Sequence, residues 1–96
     1  MKSRYIVTYD ISDPKRLRRV FKKMTGAGDH LQLSVFRCDL TERQREGLSA
    51  DLSGLIKPSE DQVLFIELGP SDGHVGERIS ALGKAYHESE REPLIV

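Results

Sequence analysis

The sequence predicts one α+β domain in the order strand, helix, strand pair, helix, strand. Three observations lead there: an apolar, β-branched run at Arg4–Ile11, two amphipathic stretches opened by capping residues, and a second β-rich run at Gln62–Leu68. In the first run (RYIVTYDI), Tyr5, Val7 and Tyr9 alternate with Ile6, Thr8 and Asp10, the period of a strand. Apolar groups on both faces predict that neither lies open to water. Ser12-Asp13-Pro14 reads as a helix start, a capping oxygen followed by a proline whose missing N–H costs nothing in the first turn. Leu17, Val20, Phe21 and Met24 then recur at i, i+3, i+4, i+7 as one apolar stripe, and Gly26-Ala27-Gly28 ends the helix.

His30–Leu40 (HLQLSVFRCDL) is extended in character, with Leu31, Leu33 and Val35 alternating against Gln32, Ser34, Phe36 and Cys38. Strands usually run about 5–6 residues, so a bend or tight hairpin near Ser34-Val35 is expected. Thr41-Glu42-Arg43-Gln44 has the form of a capping box, and Leu48, Leu52, Leu55 and Ile56 supply a second apolar stripe that Pro58 should stop. Gln62–Leu68 (QVLFIEL) is a strand closed by Gly69-Pro70. Beyond it, Val75, Ile79, Leu82 and Tyr86 fit a helical period, yet Gly76 and Gly83 weaken it and a short strand over Ile79–Gly83 fits equally. An acidic run, Glu88–Glu92, leads to Pro93-Leu94-Ile95-Val96, an apolar end expected to dock as an extra strand on its own sheet or a partner's. This order is that of a ferredoxin-like βαββαβ sandwich spanning residues 1–96, with both helices on one face of an antiparallel sheet. The opposite face is left bare. With Ile6 and Phe36 to line it, a homodimer through the sheet faces is the expected solution, the segment from about 88 to 96 packing on the partner.

Leu, Ile, Val and Phe make up 26 of 96 residues, above the roughly 20% below which chains tend to disorder. No apolar stretch is long enough to cross a membrane as a helix. Met1-Lys2-Ser3-Arg4 runs straight into the first strand, which predicts no signal peptide. A single cysteine fits a reducing cytoplasm. Fifteen bases balance fifteen acids, and this neutrality argues at first against a nucleic-acid partner. The charge is unevenly spread, however. Residues 1–28 hold eight bases against two acids, a balance of +6, and the remainder carries −6. Six of those eight bases lie between Lys15 and Lys23, on two ridges flanking the apolar stripe. Such a run is either a solvated helix face or a surface for a polyanion.

Asp10 is the first candidate for chemistry. A carboxylate at the end of an apolar strand, just before a helix N-terminus, can hold Mg²⁺ or another divalent ion through oxygen, or can simply cap a turn. One acid supplies too few ligands, but two copies in a twofold dimer could share an ion beside a phosphodiester. Asp13, before Pro14, suits a helix cap. Arg16, Arg18 and Arg19 offer paired N–H donors to phosphates, with Lys22 and Lys23 as added point charge. Tyr5, Tyr9 and Phe36 are either core or interface aromatics or stacking platforms for bases. Cys38 reads as a buried thiol, and His30, His74 and His87 lack ligand spacing. No phosphate-binding loop, dinucleotide fingerprint, paired-cysteine zinc site or RNA-recognition signature is present.

The strand ending Tyr9-Asp10-Ile11, the following DPKRLRRV, and QLSVF at Gln32–Phe36 resemble the CRISPR-associated protein 2 family, over essentially the whole chain. The resemblance implies a ferredoxin-like homodimer, with Asp10 at the position of the aspartate assigned to Mg²⁺ at the dimer interface and Phe36 at the aromatic of the second motif. It implies either a metal-dependent endonuclease on single-stranded RNA or double-stranded DNA, or a non-catalytic scaffold bridging two dimers of the CRISPR integrase (CRISPR-associated protein 1) during spacer acquisition. A toxin-like ribonuclease of similar fold is the third reading. Leu17 falls between Arg16 and Arg18, so the spacing leaves open which arginine faces nucleic acid, and the polar, Gly-rich Gly69–Gly83 segment carries over no integrase surface.

Overall fold

The computed structural model describes residues 1–71 and 79–85. Its elements run β1 (Ser3–Asp10), α1 (Pro14–Thr25), β2 (Asp29–Gln32), β3 (Val35–Leu40), α2 (Glu42–Ser53) and β4 (Gln62–Pro70). The four strands form one antiparallel sheet in the order β2-β3-β1-β4, the ferredoxin-like arrangement. Residues 79–85 contain neither strand nor helix, so the alternative strand over Ile79–Gly83 is not formed. The expected C-terminal strand lies outside the described residues.

Local chemistry accounts for each boundary. Asp13 caps α1 by accepting from the Lys15 and Arg16 N–H groups, with Pro14 in the first turn. Thr41 and Gln44 form a reciprocal capping box at the start of α2. That helix ends at Ser53 rather than at Pro58. Gly54 donates to the Ala50 carbonyl, and Leu55 and Ile56 both donate to that of Leu52, so the helix is closed off four residues before the proline.

The core lies between the helices and one sheet face. Tyr5, Val7 and Tyr9 from β1 meet Phe36, Cys38 and Leu40 from β3, under Val20 and Met24 of α1 and Leu48 and Leu52 of α2. Phe36 therefore does not line the bare face. It pairs in register with Val7 and is fully buried on the helix side. Register with β1 decides the side, which alternation within one strand cannot give, and Val35, Arg37 and Asp39 take the outer face instead. The α1 stripe is also divided: Val20 and Met24 are fully buried, but Leu17 and Phe21 remain 40% and 38% exposed.

The outer face carries Ile6 opposite Ile66 and Thr8 opposite Leu64, with Leu68 at a bulge between two registers. Leu64, Ile66 and Leu68 are exposed. Beside them runs a charged chain: Arg4 Nε donates to Asp39 (3.1 Å), and Arg37 donates to both Asp39 (3.4 Å) and Asp29. Gly28, at the entry to β2, allows a close approach to β3, because a Cβ there would stand 2.4 Å from the Arg37 carbonyl oxygen and 2.5 Å from Cys38 Sγ. Gly28→Ala is expected to destabilise the chain by about 1–3 kcal/mol through overpacking. Urea unfolding reads this as a lowered midpoint, and an unchanged midpoint would mean that the hairpin shifts freely.

Candidate nucleic-acid site at the end of the first strand

The polypeptide leaves β1 at Asp10 and must turn within three residues to enter α1. Asp61, at the foot of β4, holds that turn. Its side chain is fully buried. The Ser12 N–H donates to Oδ1 at 3.0 Å, the Lys57 N–H donates to Oδ2 at 2.7 Å, and Arg16 donates through Nε to Oδ2 at 2.8 Å and through Nη2 to Oδ1 at 3.2 Å. Glu60 extends the clamp, accepting from Arg16 Nη2 (3.0 Å) and Lys57 Nζ (3.1 Å), while its carbonyl accepts from Ser12 Oγ (2.7 Å). The Arg16 guanidinium, followed by the two backbone donors, holds the Asp61 carboxyl far below the usual carboxylate range. The same pair raises the pKa of Arg16, and Lys57 and then Arg16 lower that of Glu60. Asp13 is lowered chiefly by the Arg16 N–H it caps.

Asp10 differs from both neighbours. Its side chain is exposed and makes no hydrogen bond or ion pair among the described residues. The capping alternative therefore belongs to Asp13, and Asp61 absorbs the Ser12 N–H of the turn. Asp10 lines an open groove of about 620 Å³ with Tyr9, Pro14, Leu17, Arg18, Phe21 and Leu33. Tyr9 stacks on Phe36 at 6.2 Å, and burial raises the pKa of its hydroxyl.

Helix geometry sorts the basic cluster. Arg18 enters the Asp10 groove. Arg19, Lys22 and Lys23, at i+1, i+4 and i+5 from it, line a separate open groove of about 820 Å³ between α1 and α2, together with Lys2, Gln44 and Asp51. Lys23 pairs there with Asp51 at 2.7 Å, an exposed pair of small energetic weight. Arg18, Arg19 and Lys22 are exposed and make no ion pair among the described residues. Arg16 is taken up by Asp61 and Glu60. The sequence reading missed Asp61 altogether; its only local signal is a position just after the Pro58-Ser59-Glu60 turn. Among the described residues no three His, Cys, Asp or Glu side chains form a metal-holding group, and no helix is long and apolar enough to cross a membrane.

The family model for CRISPR associated protein Cas2 matches residues 1–72. The chain belongs to the Cas2 family. It is 45% identical over 92 residues to a protein of Rhodospirillum rubrum named CRISPR-associated endoribonuclease Cas2 1, covering 96% of this chain and 89% of that one. It is 40% identical over 96 residues to the CRISPR-associated endoribonuclease Cas2 of Geobacter sulfurreducens, covering both chains in full. The crystal structure of Streptococcus pyogenes Cas2 superposes with a TM-score of 0.69 at 29% identity, over 83% of this chain and 99% of that chain. Among its described residues this Cas2 chain thus presents an unpaired strand-end aspartate beside a helix whose unpaired bases line open grooves.

Because the pKa of Asp61 is depressed in the folded chain, its stabilisation is present above the ordinary aspartate value of about 3.9 and fades as the pH falls below it. Asp61→Asn is therefore expected to lower the thermal midpoint at pH 7, with the gap to wild type narrowing below about pH 4. Calorimetry across that range checks it, and a gap independent of pH would assign the loss to packing alone.

Proposed function

We propose that this chain is a divalent-cation-dependent endonuclease of the CRISPR-Cas adaptation machinery, working in the cytoplasm as a homodimer that hydrolyses phosphodiester bonds in RNA or DNA. The single observation that carries the reading is the unpaired, exposed Asp10 carboxylate, held at a strand end while Asp13 and Asp61 absorb the donors around it. The names of the curated relatives support nuclease chemistry. Mg²⁺ is bound through one or two carboxylates while keeping several waters, so an Asp10 from each of two subunits suits it. When bound, such a cation supplies positive charge to the phosphoryl oxygens as negative charge builds on them.

The chain's own residues would bind and orient. Arg18, in the groove with Asp10, offers a planar pair of N–H donors to a phosphate adjoining the scissile one. Arg19, Lys22 and Lys23 hold the flanking backbone through charge, with no sequence preference. The outer sheet face, with exposed Leu64, Ile66 and Leu68, is the surface proposed to bring two copies together. The CRISPR integrase is the proposed partner in spacer acquisition, a role that family membership supports.

Asp10→Ala is expected to abolish cation-stimulated cleavage of RNA and DNA substrates while leaving the sedimentation behaviour of the protein unchanged. Equal cleavage by variant and wild type, from nuclease-free preparations, would overturn the enzyme reading and leave the integrase scaffold. Arg18→Ala and Arg19→Ala should each weaken nucleic-acid binding and reduce its salt slope by about one. Arg16→Ala should instead lower the thermal midpoint and leave that slope unaltered, since its guanidinium is already engaged by Asp61 and Glu60.

A further inference from the structure

The groove between α1 and α2 is built in a way that holding flanking phosphates does not explain. Its volume is about 820 Å³, and the Lys23–Asp51 ion pair, at 2.7 Å, ties its two helices together. Each helix contributes a glycine that the fold does not require. Gly47 lies in the interior of α2, where glycine is less favourable than any residue except proline, and a Cβ there would meet nothing within 4 Å. Gly26 closes α1 at φ −84° and ψ −12°, ordinary right-handed backbone, and its Cβ would make only a normal contact with the Lys23 carbonyl oxygen at 3.6 Å. What the two glycines provide is bare backbone in the groove, which lets a ligand come close. The rest of the lining is of two kinds. Leu40 and Leu48 are buried and Ala27 and Leu55 partly buried, so part of it is apolar. Lys2, Arg19 and Lys22 are exposed and make no ion pair among the described residues.

We infer that this groove docks an acidic amphipathic helix of a partner protein, seated against Gly47 and Gly26, with its apolar side chains on Leu48 and Leu55 and its carboxylates on Lys2, Arg19 and Lys22. The inference goes beyond the nuclease reading and does not depend on Asp10. Charge complementarity selects an acidic ligand, and the apolar lining selects one with an apolar face. Asp39 and Asp51 also line the groove. A phosphodiester backbone carries a negative charge at every nucleotide and has no apolar face, so inside the groove it would meet both acids and leave the leucines unused. A helix can set its carboxylates against the three bases and neutral residues against the two acids. Arg19 and Lys22 then serve nucleic acid or the helix in turn. The docked helix displaces flanking backbone from that side of α1 and leaves Arg18, in the other groove, untouched.

The test uses the full chain and a fluorescein-labelled synthetic helix with leucine on one face and glutamate on the other. The charge-reversed peptide, with lysine for every glutamate, is the control. Wild type is expected to bind the acidic helix, more weakly as salt rises, and to ignore the basic one. Gly47→Leu fills the groove without removing a charge, and it should fold at least as stably as wild type because leucine is the better helix former. It is expected to bind the acidic helix about tenfold or more weaker while keeping its affinity for a DNA duplex and the salt slope of that binding. The acidic helix should also compete with the duplex on wild type and fail to do so on Gly47→Leu. Undiminished helix binding by Gly47→Leu, or none by wild type, would overturn the docking groove. An equal loss of helix and duplex in Gly47→Leu would overturn it too, assigning the groove to nucleic acid. Asp10→Ala should leave helix binding unchanged, so this inference and the nuclease reading fail separately.

Discussion

Asp61 and the four donors gathered on its carboxylate govern the geometry of the functional end of this molecule. Of the three residues between β1 and α1 only Ile11 enters the core, so packing anchors one residue and the shape of the rest of the turn has another source. It comes from a fully buried carboxylate that receives the Ser12 N–H, the Lys57 N–H and two Arg16 donors. A buried charge of this kind is tolerable only when paired and hydrogen-bonded on every side. Because one donor lies in the turn after β1, one on α1 and one in the turn after α2, the same carboxylate fixes where the strand ends, how the helix starts and where β4 begins. The direction in which Asp10 leaves the sheet follows from those three constraints.

The second consequence concerns charge. A neutral chain can still hold a polyanion if its bases are segregated, and α1 segregates them by angle as well as by sequence. Arg16 faces the Asp61 clamp, Arg18 the Asp10 groove, and Arg19, Lys22 and Lys23 the cleft between the helices. The count of bases in the run therefore overstates what is available to a ligand. Arg16 is spent on the fold, and Lys23 is shared with Asp51. What remains is a small set of cations, unpaired among the described residues, on two sides of one helix.

Much of this architecture was legible in the residues themselves, for reasons of range. Caps and alternations are local: Asp13-Pro14, the Thr41–Gln44 box, and the β-rich runs of β1 and β4 declare themselves within a few positions. The hairpin could be placed from length alone. The face of Phe36 could not, because alternation within a strand defines two faces without saying which one meets the helices, and only the pairing with Val7 decides the side. The end of α2 was misplaced because proline is the more conspicuous breaker, although Gly54 comes first. Asp61 was invisible because two of its donors, Ser12 and Arg16, lie 49 and 45 residues away, and nothing near it in sequence announces them. The terminal strand, and Val75 and Tyr86 of the helical period, fall outside the described residues, whereas Ile79 and Leu82 of that period lie in a described segment without helix.

Three aspartates near one turn show how the same side chain is divided among tasks. Asp13 meets two helix N–H groups and becomes a cap. Asp61 meets a guanidinium and two backbone donors in a buried site and becomes a clamp. The Asp10 carboxylate meets nothing among the described residues, and that outcome depends on the other two. The Ser12, Lys15 and Arg16 N–H groups, together with the Arg16 guanidinium, are the natural partners for a carboxylate in this loop, and each is already engaged. An exposed carboxylate loses little by remaining hydrated, so leaving it unpaired costs the fold almost nothing. A carboxylate already held by a guanidinium would have to break that pair before it could serve a cation or a substrate. The clamp at Asp61 therefore does more than shape the turn: by occupying Arg16 it keeps the carboxylate of Asp10 available.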